Sequence, residues 1–180
     1  PVDAEEEWRR VGEVVRILAH ESDCPISIDT SKASVAKKAL ENGAEIINDV
    51  TGLQGDPEMV QIAIETGAGV CAMHMQGTPK TMQVNPTYES VVEEIHAYLE
   101  DRRNALISAG IALESVCLDP GIGFGKTHSH NIELIKNASK FLDLGCPILI
   151  GHSRKGFLGK LIKQTLHRDA SLHDRDIAWR

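Results

Sequence analysis

Five short apolar runs, each closed by a polar residue and followed by a helix-like stretch, constrain this chain more than any other feature. The runs cover 25–29, 44–49, 68–74, 116–119 and 146–151. They end on Asp29, Asn48-Asp49, His74, Asp119 and, just past the last, His152-Ser153. Apolar periodicity predicts helices over 4–19, 31–42, 57–66, 87–109, 130–142 and 156–167. Strands of near-continuous apolar residues alternating with helices imply a parallel sheet covered on both faces. In an open sheet only the strand ends beside the switch point meet a ligand. In a (β/α)8 TIM barrel all strand ends converge on one mouth. Polar residues at every predicted strand end therefore favour the barrel.

The punctuation agrees with this reading. Asp3 and Glu6 suit a capping box, Ser31 a second helix start, and Gly43, Gly67 and Gly110 helix stops. A complete barrel needs eight strands and about 250 residues. With 180 residues and about five of eight strands, the chain is expected to be a single barrel domain over 1–180, incomplete at both ends. About two strands would precede Pro1 and one would follow Arg180. The polar stretch beyond Arg168 is expected to be a loop or a frayed end.

A net charge of −7 disfavours a nucleic-acid or membrane-surface partner. No apolar run approaches the roughly 18 residues of a membrane span. The acidic opening Pro1-Val2-Asp3-Ala4-Glu5-Glu6-Glu7 does not read as a signal peptide. Cys24, Cys71, Cys117 and Cys146 are scattered, with no C-x-x-C pair. They are expected to be reduced, mostly buried thiols in a cytoplasmic protein rather than zinc ligands.

Asp119-Pro120-Gly121-Ile122-Gly123-Phe124-Gly125-Lys126-Thr127 stands out among the loops. It approximates a phosphate-binding loop, but only three residues separate Gly121 from Gly125 where a Walker A loop needs four. The spacing G-x-G-x-G also misses the dinucleotide fingerprint. A flexible glycine loop after a strand ending in a carboxylate suggests a ligand pocket at the sheet mouth, not a nucleotide cradle.

Taken together, Ser27-Ile28-Asp29-Thr30, Ile46-Ile47-Asn48-Asp49-Val50, Met73-His74-Met75-Gln76-Gly77, the 119–127 loop and Gly151-His152-Ser153-Arg154-Lys155-Gly156-Phe157 resemble the dihydropteroate synthase family. The resemblance runs from Pro1 to about Lys163. It implies condensation of 6-hydroxymethyl-7,8-dihydropterin pyrophosphate with p-aminobenzoate, giving 7,8-dihydropteroate and pyrophosphate. It implies pterin contacts for Asp29, Asn48, Asp119 and Lys155, with Lys155 the residue nearest to catalysis. It implies a p-aminobenzoate site at Met73, Gly123, Phe124, Gly151 and Ser153. A carboxylate suits the donor-rich pterin edge because it can accept two N–H groups. Asp49 has no such family role and reads as a helix cap. The family also implies Mg2+, a homodimer and small-molecule partners, and it is a target of sulfonamides. No metal ligand is assigned in this chain, and His74 and His152 are not expected to bind zinc. His128 and His130 are expected at the exposed entry to a helix.

The family's first-strand Asn, second-strand Arg-Pro-Gly and terminal Arg-x-His are not in this sequence. Much of the pyrophosphate site is therefore missing, and this chain alone is expected to be poorly active. Two alternatives are a methyltetrahydrofolate-dependent methyltransferase barrel, which should lack Phe124 and Ser153-Arg154-Lys155, and a non-catalytic pterin-binding paralogue.

Overall fold

The computed structural model describes residues 2–169 together with Ser171, His173 and Asp174. Four parallel strands, β1 (Ser27–Asp29), β2 (Ile46–Asp49), β3 (Gly69–Met73) and β4 (Val116–Asp119), form one sheet in the order β1-β2-β3-β4. A sheet wound without reversal has no switch point, as expected of a barrel and not of an open doubly wound sheet. Helices α2 (Ala33–Glu41), α3 (Met59–Thr66) and α4 (Val91–Ala109) connect the strands, and α1 (Ala4–Glu21) precedes them. After β4 come α5 (His128–Lys136), a 3-10 stretch (Ala138–Leu144) and α6 (Gly156–Leu166).

The fifth run is not a strand. Residues 146–151 hold a single bridge, Leu118 to Ile148. Leu118 donates to the Pro147 carbonyl and Leu149 donates to the Leu118 carbonyl, each at 2.9 Å. Pro147 has no N–H to give a ladder, and no described residue pairs with the segment's other edge. The sheet therefore has four strands where the sequence predicts five.

Alternation assigns the two faces. Ile28, Ile47, Val70, Ala72, Val116 and Leu118 are buried against the helices. Their neighbours Asp29, Asn48, Cys71 and Cys117 point the other way and lie in one cross-strand row. Met73 and Asp119 pair in the next inward row, closer to the mouth. The core on the helix side includes Ile95, Leu99, Leu106, Leu134 and Phe141, all fully buried. Trp8, Val11 and Val15 of α1 pack with Ile28, Ala39 and Ala44 in a smaller cluster. Leu18, at helical spacing from Val11 and Val15, is 44 % exposed and outside that cluster.

Several helix starts are decided by tertiary contacts. Asp3 accepts the Glu6 N–H at 2.8 Å, but the Glu6 carboxylate turns to Arg9 and Arg10, so only half of the expected box is used. Ser31 does not cap α2. The helix begins at Ala33, whose N–H goes to the Asp56 carboxylate at 2.9 Å. Residues 87–90 stay out of α4 because Gln76 holds Thr87 by both its N–H (3.2 Å) and its carbonyl (2.9 Å). The single helix expected over 130–142 is α5 plus the 3-10 stretch. Gly67 and Gly110 close α3 and α4 in the left-handed conformation, as expected. The expected loose end beyond Arg168 falls largely on residues 170, 172 and 175–180, which lie outside the described residues.

Candidate active site

The inner face and the loops above it bring the expected residues to one end of the sheet. Asp29 and Asn48 are paired neighbours at the ends of β1 and β2. Asp119 ends β4, 6 % exposed, beside Met73. Its Oδ1 accepts the Gly121 N–H at 2.7 Å, which turns the chain back across the sheet mouth. Burial pushes the Asp119 carboxyl above the usual carboxylate range, against the lowering effects of Gly121, Lys155 and Lys126. Asp29 is also pushed up, first by desolvation and then by the charges of Asp49 and Glu7. A ligand presenting N–H donors would relieve both, because it offers partners to carboxylates that lack water.

Asp49 is different. It is fully buried on the helix side, two residues after Ile47, and its carboxylate accepts the Thr51 N–H and hydroxyl at 2.8 Å. It braces the turn after β2, so the capping reading holds in kind but serves a turn instead of a helix.

The glycine loop crosses this end of the sheet. Gly121, Gly123 and Gly125 all have positive φ. At Gly121 (φ 70°) a Cβ would lie 1.9 Å from the His74 carbonyl oxygen, so only glycine fits that crossing. Such a backbone makes no ladder bonds, and four consecutive carbonyls are instead held by side chains from elsewhere. Lys155 donates to the Ile122 carbonyl. Gln83 donates to Gly123 at 2.8 Å, Lys126 to Phe124 at 2.8 Å, and the Tyr88 hydroxyl to Gly125 at 2.8 Å. Asn131 accepts the Gly123 N–H at 2.6 Å.

Lys155 stands just before α6, with its ammonium 4.4 Å from the centre of the Phe124 ring. A cation at a helix N-terminus is poorly placed, and here it has two partners, the ring and the Ile122 carbonyl. Burial lowers its pKa and Asp119 opposes that shift. A cavity of about 420 Å³ opens beside it, lined by Gly123, Phe124 and Lys155 among others. Asp29, Asn48, Asp119, Met73, Gly151 and Ser153 are not in its wall. Gly151 is nonetheless close to the carboxylate, since a Cβ there would sit 3.9 Å from Asp119 Oδ2. Ser153 is exposed and Met73 buried at the sheet end.

Sequence reasoning passed over Lys126, Gln83, Tyr88 and Asn131. Lys126 is visible as the lysine of a near-miss phosphate loop, but its partner His74 lies 52 residues away in the chain and leaves no local signal. His128 and His130 are half-buried in the first turn of α5, not at an exposed entry. His130 completes a capping box with Thr127. No group of three or more His, Cys, Asp or Glu among the described residues could hold a metal ion.

Residues 1–178 match the family described as pterin binding enzyme. The chain belongs to the pterin-binding enzyme family. It is 44 % identical over 165 residues to the dihydropteroate synthase of Haemophilus influenzae, covering 92 % of this chain and 60 % of that protein. It is 44 % identical over 161 residues to the Escherichia coli K12 protein of the same name, covering 89 % and 57 %. Among solved structures, the Yersinia pestis dihydropteroate synthase with a sulfonamide drug superposes with a TM-score of 0.90 at 39 % identity, over 98 % of this chain and 62 % of that one. The Xanthomonas albilineans dihydropteroate synthase with 7,8-dihydropteroate gives 0.88 at 34 % identity, over 98 % and 62 %. The chain thus has the TIM-barrel family's parallel α/β fold and spans about 60 % of the length of these relatives.

Proposed function

We propose that this pterin-binding chain is the greater part of a dihydropteroate synthase. The observation that carries the reading is the set of inward acceptors Asp29, Asn48 and Asp119 at the ends of β1, β2 and β4, with a glycine loop across that end that sets Phe124 against Lys155. The acceptors suit the donor-rich edge of a pterin. Lys155 is free to exchange the Ile122 carbonyl for a pterin acceptor, and the family resemblance assigns p-aminobenzoate to Met73, Gly123, Phe124, Gly151 and Ser153. Relatives bearing the synthase name, and a relative solved with 7,8-dihydropteroate, support the same reading.

The reaction forms a C–N bond at the pterin's exocyclic methylene carbon and breaks its C–O bond to pyrophosphate. The aromatic amine is neutral at pH 7, so no carboxylate base has to activate it. After attack the amine proton passes to water. This chain's residues work by positioning and electrostatics. Asp119, Asn48 and Asp29 fix the ring plane, Lys155 holds its edge, and Phe124 sets the approach of the amine. We assign Mg2+ to the pyrophosphate as its counter-ion. Mg2+ commonly keeps several waters and binds through substrate phosphates, so it needs no dedicated protein cage. The family's leaving-group residues are outside this sequence, and turnover by the 180-residue chain is expected to be poor. Four free thiols fit a reducing cytoplasm. No described helix is long and apolar enough to cross a membrane. Pairing of two parent chains through barrel helices is the assembly the family resemblance supports.

The test is pyrophosphate release from the dihydropterin pyrophosphate, with Mg2+, in the presence and absence of p-aminobenzoate. Release that requires p-aminobenzoate supports the synthase. Absence of release, together with pterin binding that Asp119→Ala abolishes, supports a synthase piece lacking its leaving-group site. Absence of any pterin binding overturns the proposal.

A further inference from the structure

Lys126 has a geometry that the reaction as described above leaves unused. It follows Gly125 in the glycine loop, yet its side chain turns back beneath the loop and the residue is 3 % exposed. Its Nζ donates to the Phe124 carbonyl at 2.8 Å and approaches His74 Nδ1 at 3.0 Å, with the His74 carbonyl at a longer 3.4 Å. Burying an amine costs several kcal/mol unless every donor is used. Here the three donors meet three acceptors on two segments, and those segments carry Phe124 and the residue after Met73.

His74 is itself fixed. Its N–H donates to the Asp119 carbonyl at 2.9 Å, and its ring stands edge-on to Tyr98 at 4.8 Å. Burial and the neighbouring Lys126 charge hold the imidazole neutral, with a pKa near 3, and the Lys126 ammonium 3.0 Å from Nδ1 favours the tautomer with its proton on Nε2. Lys126 thus reaches from a firmly held strand end to the loop carbonyl that sets the direction of the Phe124 ring. Asp29 and Asn48 stand on the ladder of β1 and β2 and do not depend on this link.

Resting on the synthase reading, we propose that Lys126 is a positioning residue for p-aminobenzoate: it ties the Phe124 backbone to His74 and so holds the face on which the aminobenzoate ring is received. It borders the cavity beside Lys155, and its Nζ is committed to His74 and the Phe124 carbonyl. Loss of the tie leaves pterin recognition intact and loosens the second site only. A residue that merely supported the fold would affect both sites together.

The experiment uses the full chain carrying Lys126→Met, which keeps the side-chain length and removes the donors. Two titrations are compared: dihydropterin pyrophosphate alone, and p-aminobenzoate against the pterin-saturated protein. The expected result is pterin affinity within about twofold of the native chain and aminobenzoate affinity reduced by about tenfold or more, the scale of a lost hydrogen bond to a charged group. Equal aminobenzoate affinity in variant and native chain overturns the proposal. So does a parallel loss of both ligands in a variant whose circular dichroism remains native. If Lys126→Met does not fold, Lys126→Gln, a neutral donor, takes its place with the same two outcomes. If the native chain binds no pterin, the synthase reading itself has failed, and that result is distinct from either outcome for Lys126.

Discussion

The strand ends and the glycine loop solve the same problem, holding a ligand-facing group still, by opposite means. Asp29 and Asn48 sit in a parallel ladder, where backbone hydrogen bonds between β1 and β2 locate both side chains at once. The 121–125 stretch has no ladder. Its carbonyls are held one by one by Lys155, Gln83, Lys126 and Tyr88. The first arrangement is cooperative with the core. The second can be taken apart one hydrogen bond at a time, which makes it the adjustable half of the site.

The largest expected effect tests whether the loop tolerates any change of path. Gly121→Ala puts a Cβ 1.9 Å from the His74 carbonyl oxygen at a φ of 70°. Backbone strain and clash together should cost about 3 kcal/mol or more. Urea denaturation measures it, and a loss under about 1 kcal/mol would show that the loop can reroute.

Next in size, Asp119→Asn keeps the shape and an acceptor for the Gly121 N–H but removes the charge offered to the pterin. Pterin affinity should fall roughly 10- to 100-fold. A calorimetric titration showing native affinity would move pterin recognition away from β4.

The pH dependence separates the two halves by sign. The folded pKa of Asp119 is raised above its unfolded value by burial. Its contribution to stability is therefore fully present below the unfolded pKa and lost as pH rises through the folded one. Asp119→Asn should accordingly be more stable than the native chain at pH 8, with the advantage shrinking toward pH 4. Lys126 behaves oppositely. Burial lowers its folded pKa from 10.5 to about 7, so between those values the unfolded chain binds more protons and stability rises with pH. Thermal melts from pH 7 to 10 should show this rise, and Lys126→Met should remove Lys126's share of it. An unchanged slope in that variant would place the titration on another group.

The smallest effect concerns a single clamp. Tyr88→Phe deletes the hydroxyl that donates to the Gly125 carbonyl at 2.8 Å. A cost of about 1 kcal/mol is expected. A much larger loss in a denaturant melt would mean that the four clamps act as a unit and not singly.

The strand ends were legible in the sequence because a strand carries its own signal. Apolar runs ending in Asp29, Asn48 and Asp119 report both the strand and the side that faces a ligand. The four ladder strands appeared where expected, within a residue or two at most of their ends. The fifth run did not form a strand: it holds one bridge, from Leu118 to Ile148, and Pro147 offers no N–H for a further rung. Helix starts were misplaced where a distant side chain intervened: Asp56 capping α2 in place of Ser31, and Gln76 holding Thr87 out of α4. The clamps from Lys155, Gln83 and Tyr88 reach the glycine loop across 33, 40 and 37 positions, Lys126 meets His74 across 52, and no local pattern announces such pairs.

By itself, then, the sequence determined the alternation of parallel strands and helices, the polar strand ends and the glycine loop that resemble the dihydropteroate synthases. These follow from periodicity and backbone freedom, which are local properties of a chain. Only the tertiary structure decided how the loop is held and which buried lysine holds it. A hydrogen bond between remote residues exists only after packing has brought donor and acceptor within about 3 Å.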